Sequence, residues 1–271
     1  MPRATTSLES SGVRDLDRTR RFLTLGVDIG GTNIKASVLD RSGDLISEWA
    51  RLATPSPATP AAVLQSIDAL AAQLPRFGRI SVGFPGVVKG GTVITAPNLG
   101  TRHWSGFKLI DALAGRFGVP VRMLNDAAVH GLGVVEGHGL ACVITLGTGI
   151  GCALFRNRRL LLHLEFGQHR RADETYDQFI GQAALDAIGP EAWNARVRGS
   201  IKTVMELTNC DVLYIGGGNA RQITFALPAH MRIVSNTAGV TGGVRLWEPE
   251  LDELFEGEPN AQRGAPPERS Q

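Results

Sequence analysis

The chain has 271 residues, of which 43% are hydrophobic and 20% charged, with a net charge of +2 at neutral pH. This composition excludes a disordered or fibrous protein and allows one large core or two medium ones. No apolar run reaches the roughly 20 residues of a membrane span, and the first residues lack the apolar centre of a secretion signal, so a cytoplasmic protein with no membrane partner is expected.

Charge is unevenly spread. Residues 1–21 carry five Arg against three acidic residues, and 248–271 carry seven acidic residues against two Arg, which leaves +5 over residues 22–247. That surplus suits small anions and does not imply a nucleic-acid surface. Both ends are polar and irregular, predicting a mobile leader over 1–21, a mobile acidic tail over 248–271 and a folded unit between them. Cys142, Cys152 and Cys210 are far apart in sequence with no CxxC spacing, which points to core residues rather than a disulfide framework or a structural zinc site.

Along the chain, FLTLGVDI and TNIKASVLD are β-prone runs joined by a glycine turn, and DLISEWARLA extends them to a three-strand meander. Thr59 and Pro60 open a helix over PAAVLQSIDALAAQL. A strand RISVGF, a helix KLIDALAGRF closed by Gly118, a short strand VRML and a helix from near Asp126 follow. ACVITLGTGIGCALFRNRRLLLHLE then repeats the strand, glycine turn and strand, with TLG at Thr145–Gly147 matching TLG at Thr24–Gly26, the mark of an internal duplication. A long helical region over about 182–207, broken near Gly189 and Pro190, leads to a strand VLYIGGG and a helix-like TAGVTGGVRLW. Two α/β lobes, 22–137 and 138–247, imply a cleft between them.

The chemistry is carried by the turns. Glycine turns direct several backbone N–H groups at one point with no Cβ in the way, which suits phosphate oxygens. DIGGTNIK leads from strand to strand and lacks GxxxxGK[ST], so it is neither a P-loop nor a dinucleotide fingerprint. It either reverses the chain or binds an anion. Asp28, at the end of the preceding strand, favours binding, because a carboxylate there is placed to hold Mg²⁺ beside a phosphate. Gly147, Thr148 and Gly149 form the equivalent turn of the second half, and Gly216, Gly217 and Gly218 either end a buried strand or let a nucleotide lie on the backbone. In LNDA, Asp126 reads as a helix cap or as the base that takes a proton from an attacking hydroxyl, and the two roles are compatible. Asn98, Asn125 and Glu165 supply the donors and acceptors a polyol needs, with Pro85 and Gly86 shaping the pocket wall. Arg156, Arg158, Arg159, Arg170 and Arg171 are either a solvated face or a path for a polyanionic donor. His163 and His169 read as solvent-facing.

DIGGTNIK, FPGVV, LNDA, LGTGIG, LEFG and GGGN, in this order from Gly26 to about Gly243, resemble the acetate-kinase, sugar-kinase, heat-shock chaperone and actin superfamily. Within it they resemble the ROK (repressor, ORF, kinase) sugar kinases, and most of all the polyphosphate/ATP-glucokinase branch. The resemblance implies an actin-like ATPase fold, an α/β architecture of two duplicated ribonuclease-H-like lobes around an interlobe cleft. It further implies that Asp28, Gly30, Gly31, Thr32 and Lys35 bind the Mg²⁺-phosphate end and that Gly147, Thr148 and Gly149 hold further phosphates, with Gly216–Gly218 completing the donor site. Asp126 is then the base, and Asn98, Asn125, Asp126 and Glu165 hold the sugar. Gln168 replaces the histidine that usually follows in EIGH or ELGH, which removes a titratable ring from the sugar site.

The expected activity is phosphoryl transfer from ATP or polyphosphate to the 6-hydroxyl of glucose or a similar hexose, in a protein that pairs as a homodimer as such kinases often do. Three alternatives share these residues: a sugar-responsive repressor, a nucleotide or polyphosphate hydrolase, and a sensor that binds sugar without turnover. The 21 polar residues before Phe22 supply no DNA-reading helical module, which counts against the first.

Overall fold

The computed structural model describes residues 22–255 with the exception of Asn236. The expected leader, 1–21, and residues 256–271 of the expected tail lie outside the described residues. The elements are β1 (Thr24–Ile29), β2 (Asn33–Leu39), β3 (Ala50–Ala53), α1 (Pro60–Ala71), β4 (Arg79–Phe84), the ribbon β5 (Val88–Lys89) and β6 (Thr92–Val93), α2 (Thr101–Trp104), α3 (Leu109–Phe117), β7 (Val121–Asn125) and α4 (Asp126–Val134). The second half contains β8 (Leu140–Leu146), β9 (Ile150–Arg156), β10 (Arg159–Leu164), the ribbon β11 (Arg170–Arg171) and β12 (Glu174–Thr175), α5 (Tyr176–Ile180), α6 (Gln182–Thr208), β13 (Val212–Gly216), β14 (Met231–Ile233) and α7 (Ala238–Thr241).

The duplication read from the repeated hairpins is carried by the topology. The first sheet has strand order β3-β2-β1-β4-β7 and the second β10-β9-β8-β13-β14. In each, a three-strand antiparallel meander is followed by two parallel strands. The two parallel strands nearest the meander, β4 and β13, are almost wholly buried, as expected where helices cover a sheet. One core packs α1 and α3 on the first sheet around Trp104 and Phe84, and another packs α5 and α6 on the second around Trp193. A third core lies between the sheets, where α4 sits with Phe155, Tyr214 and Leu246. α4 therefore joins the two halves and carries Asp126 at its start.

Local chemistry sets the boundaries. Thr59 caps α1 by accepting from Ala62 N, with Pro60 at the first helical position. Gly118, left-handed at φ 66°, closes α3. Gly189 breaks the helical dihedrals inside α6, directly before Pro190. Two expectations are corrected. The third strand is only Ala50–Ala53, because Ser47 diverts the preceding segment: its Oγ accepts from Val38 N at 3.1 Å, and its carbonyl accepts from Ser37 Oγ at 2.9 Å. The three cysteines are core residues as expected and share one cluster, with the sulfurs of Cys142 and Cys152 3.7 Å apart on adjacent strands.

The second correction concerns the C-terminal end. Residues 238–247, expected in the second lobe, pack against α4, β1 and β4 of the first. The segment expected to be mobile from Glu248 begins instead with a 3-10 helix over Pro249–Phe255 that buries Leu251 and Phe255. The cause is a buried guanidinium in β7. Arg122 donates to Leu246 O at 2.6 Å and to Asp252 Oδ1 at 2.7 Å, and it lies 4.7 Å from the ring centroids of both Trp247 and Phe255. A charge removed from water in this way needs its counter-ion. Replacing Asp252 by Ala is expected to lower unfolding stability in urea by about 2 kcal/mol or more, and an unchanged denaturation midpoint would contradict the clamp.

Candidate active site

A cleft of about 360 Å³ opens between the sheets and is lined by both glycine turns, by Asp28 and Lys35 of the first hairpin, and by Asp126, Glu165 and Asp177. Its volume suits a small ligand. The first turn is closed by Gly30 N donating to Asn33 O at 2.9 Å, and the second by Gly147 N donating to Gly149 O at 3.0 Å. Gly147 O is fixed in turn by Gln182 N and Asn219 Nδ2. The two turns touch: Thr32 Oγ1 and Thr148 Oγ1 are 3.1 Å apart, although 116 residues separate them. Glycine favours this approach, since a Cβ on Gly31 would lie 3.0 Å from the Thr148 methyl and 3.1 Å from Asn98 Cβ, and both side chains would have to give way.

Asp28 is the last residue but one of β1 and pairs with Lys35 of β2 at 3.7 Å. Burial pushes its carboxyl above the ordinary range, and Lys35 pulls it partly back. Asp126 opens α4. The cap expected of it is made by its neighbour: Asn125 Oδ1 accepts from Ala127 N and Ala128 N, and Asn125 Nδ2 donates to Gly86 O. Asp126 Oδ1 accepts from Ala127 N at 2.8 Å, and the residue lines the cleft. Burial first, then the negative charge of Asp28, push its carboxyl up to about 7. A carboxylate of that basicity is suited to accept a proton near neutral pH.

Asn98, Asn125, Glu165, Gln168, Pro85 and Gly86 all line the same cleft. Gly86 sits so close to the Thr95 carbonyl that a side chain there would overlap it. Glu165, raised by burial and then by the charge of Asp177, lies 3.7 Å from His163. Gly217 and Gly218 line the cleft, and Gly217 adopts φ +85° against the Leu146 backbone. Gly216 does not reach the cleft. Its Cα is covered by the His130 ring, so its assignment to the donor site is corrected to a packing role. The arginines at 156, 158, 159, 170 and 171 are exposed and outside the cleft. Arg171 stacks 4.1 Å from the Phe179 ring centroid.

The sequence reading missed Asp177. Its Oδ1 accepts from Ile150 N at 2.7 Å, behind the second glycine turn, and its Oδ2 accepts from Gln168 Nε2 at 2.7 Å. Asn98 of the first lobe bonds the same carboxylate. One side chain thus ties together the donor turn, the Glu165–Gln168 segment and the opposite lobe. Its only local signal was Thr175-Tyr176-Asp177, where Thr175 and Gln178 form a capping box. Gly149 and Gly167 both press on this carboxylate, which leaves no room for a Cβ at either position.

The set of groups fits a magnesium ion held partly by a phosphate. Asp28 is a partly buried carboxylate whose cationic neighbour among the described residues is Lys35, 3.7 Å away. Among the described residues no group of three or more His, Cys, Asp and Glu is arranged to hold a metal by itself. Mg²⁺ commonly binds through one or two carboxylates with water and substrate phosphates completing its shell.

Comparison with known proteins bears on this geometry. The sequence model of the ROK family matches residues 24–169. The chain is 32% identical over 244 residues to a polyphosphate glucokinase of Mycobacterium leprae, covering 83% of this chain and 74% of that one. It is 31% identical over 239 residues to a polyphosphate glucokinase of Mycobacterium tuberculosis, covering 80% and 88%. Among solved structures, the inorganic polyphosphate/ATP-glucomannokinase from Arthrobacter sp. strain KM superposes with a TM-score of 0.75 at 29% identity, over 82% of this chain and 97% of that one. The duplicated sheets, the paired turns and these likenesses agree: the chain belongs to the ROK family.

Proposed function

We propose that the chain is a sugar kinase, transferring the terminal phosphoryl group of ATP or polyphosphate to the 6-hydroxyl of glucose or a related hexose. The observation that carries this reading is the meeting of the two glycine turns, through Thr32 and Thr148, in the same cleft as Asp126. The glucokinase and glucomannokinase relatives support it.

In this reading the turns closed by Gly30 N and Gly147 N present the backbone N–H groups of Gly31 and Thr32, and of Thr148 and Gly149, to the donor phosphates from opposite lobes. Asp28 and Lys35 flank the transferring group, and Mg²⁺ bound at Asp28 would neutralise its negative charge. Asn98, Asn125, Glu165 and Gln168 bind the hexose hydroxyls, with Pro85 and Gly86 as the wall. Asp126 accepts the proton of the attacking hydroxyl as its oxygen bonds to phosphorus and the bond to the rest of the donor breaks. Asp177 holds the donor turn and the sugar segment in register. Closure of the cleft excludes water, the competing acceptor. Gln168 donates to Asp177 and presents its carbonyl oxygen as an acceptor, so the position is independent of pH. The reading includes a cytoplasmic enzyme that pairs as a homodimer and has no nucleic-acid or membrane partner.

A coupled assay crossing ATP and polyphosphate with glucose, mannose, glucosamine and N-acetylmannosamine tests the reaction. Formation of a hexose 6-phosphate is expected with glucose. Phosphate release indifferent to any hexose would identify a hydrolase, and no product in any combination would identify a sensor.

Asp126→Asn is expected to lower turnover by about 10²–10⁴-fold and to leave hexose affinity within about threefold; near-normal turnover would remove Asp126 from the mechanism. The same variant has a pH signature in metal-free protein. Because the folded carboxyl is raised to about 7 from an ordinary 3.8, the folded chain holds this proton more tightly than the unfolded chain. Its contribution to stability is present in acid and is lost as pH rises through about 7. In EDTA, Asp126→Asn should therefore gain in Tm over the parent as pH rises from acid to alkaline, whereas a difference that is constant with pH would contradict the basic carboxylate.

A further inference from the structure

His130 lies one turn of α4 beyond Asp126, on the same face of the helix. It is 3% exposed and borders the cleft, yet the mechanism above does not use it. Its two ring nitrogens face different surroundings. Nε2 is buried with no hydrogen-bond partner and abuts Gly216. Nδ1 faces Gly239 in α7. A methyl group placed on Gly239 would lie 3.6 Å from His130 Nδ1 and 3.7 Å from Asp28 Oδ2, and these two residues supply its nearest neighbours. The glycine thus leaves open a space bordered by a ring nitrogen of His130 and by the carboxylate of Asp28.

Burial, and then the charge of Lys35, push the imidazole down to about 4, so the ring is neutral with one proton. A buried N–H without an acceptor is rarer in proteins than a buried lone pair without a donor. The proton therefore belongs on Nδ1, the nitrogen on the side of the gap, and Nε2 keeps the unpaired lone pair against Gly216. A neutral N–H beside a carboxylate orients it without competing as a charge, as outer-shell partners do at metal sites.

We infer that His130 is a positioning residue for the donor end of the cleft, its Nδ1–H reaching the Asp28 carboxylate and a cation held there through water in the space kept open by Gly239. The inference rests on the proposed function only in taking Asp28 as a cation ligand. It differs from a packing role in a way that substitutions can separate. An Asn at 130 can place its amide nitrogen near the position of Nδ1, whereas a Gln reaches toward that of Nε2. Gly239→Ala fills the gap at ordinary contact distance, within a helix where alanine is favoured over glycine.

The test is Mn²⁺ binding by electron paramagnetic resonance in the full chain with a non-hydrolysable ATP analogue, which needs no turnover, read beside Tm and hexose affinity. His130→Gln and Gly239→Ala should each weaken Mn²⁺ binding by about 10-fold or more, with hexose affinity unchanged and with no loss of Tm for Gly239→Ala. His130→Asn should restore most of the parent's cation affinity. Unaltered Mn²⁺ binding in Gly239→Ala, or equal losses in His130→Asn and His130→Gln, would overturn the inference. A parent that phosphorylates hexose with Mg²⁺ but has no Mn²⁺ site would overturn it too, while leaving the proposed function standing.

Discussion

Two short pieces of backbone, each freed of side chains by glycine, approach closely enough for the hydroxyls of Thr32 and Thr148 to meet at 3.1 Å. Everything else in the cleft is placed by that approach. It requires sheets of the same topology facing each other, so that equivalent hairpins end at one point. It also requires small residues at the contact, since the space beyond Gly31 is taken by Thr148 and Asn98. α4 completes the arrangement, packing between the sheets and presenting Asp126 beside the junction.

The electrostatics of the cleft run opposite to what attracts an anionic donor. Asp28, Asp126, Glu165 and Asp177 all line it, burial raises all four, and among the described residues Lys35 is the one lining Lys or Arg. The exposed arginines lie elsewhere. Phosphate recognition in such a site falls to backbone N–H groups and to a cation shared with the donor, both of which act at short range. Burial first, and then the negative charge of Asp28 with little positive charge to offset it, keep Asp126 basic.

The legible parts of the molecule were those encoded locally. Strand, turn and strand in TLGVDIGGTNIK and in ITLGTGIGCALF show both hairpins, and their likeness shows the duplication that the sheet order bears out. Thr59-Pro60 and Gly118 mark helix ends by their own backbone preferences. Long-range partners were not legible. Asp177 reads as an ordinary residue after a helix cap, and only the fold brings it against Ile150, Gln168 and Asn98. Gly216 looks like its neighbours Gly217 and Gly218, but the strand's alternation turns it toward His130. The acidic C-terminal stretch has the composition of a tail, and it is the buried Arg122, more than a hundred residues earlier, that holds its first turns.

The central claim is that both turns grip one donor opposite Asp126. A crystal structure with glucose and a non-hydrolysable ATP analogue tests it most directly. The account predicts donor phosphates between Gly30–Thr32 and Gly147–Gly149, with a sugar hydroxyl within hydrogen-bond distance of Asp126. Phosphates bound away from both turns, or a sugar held out of reach of Asp126, would contradict it.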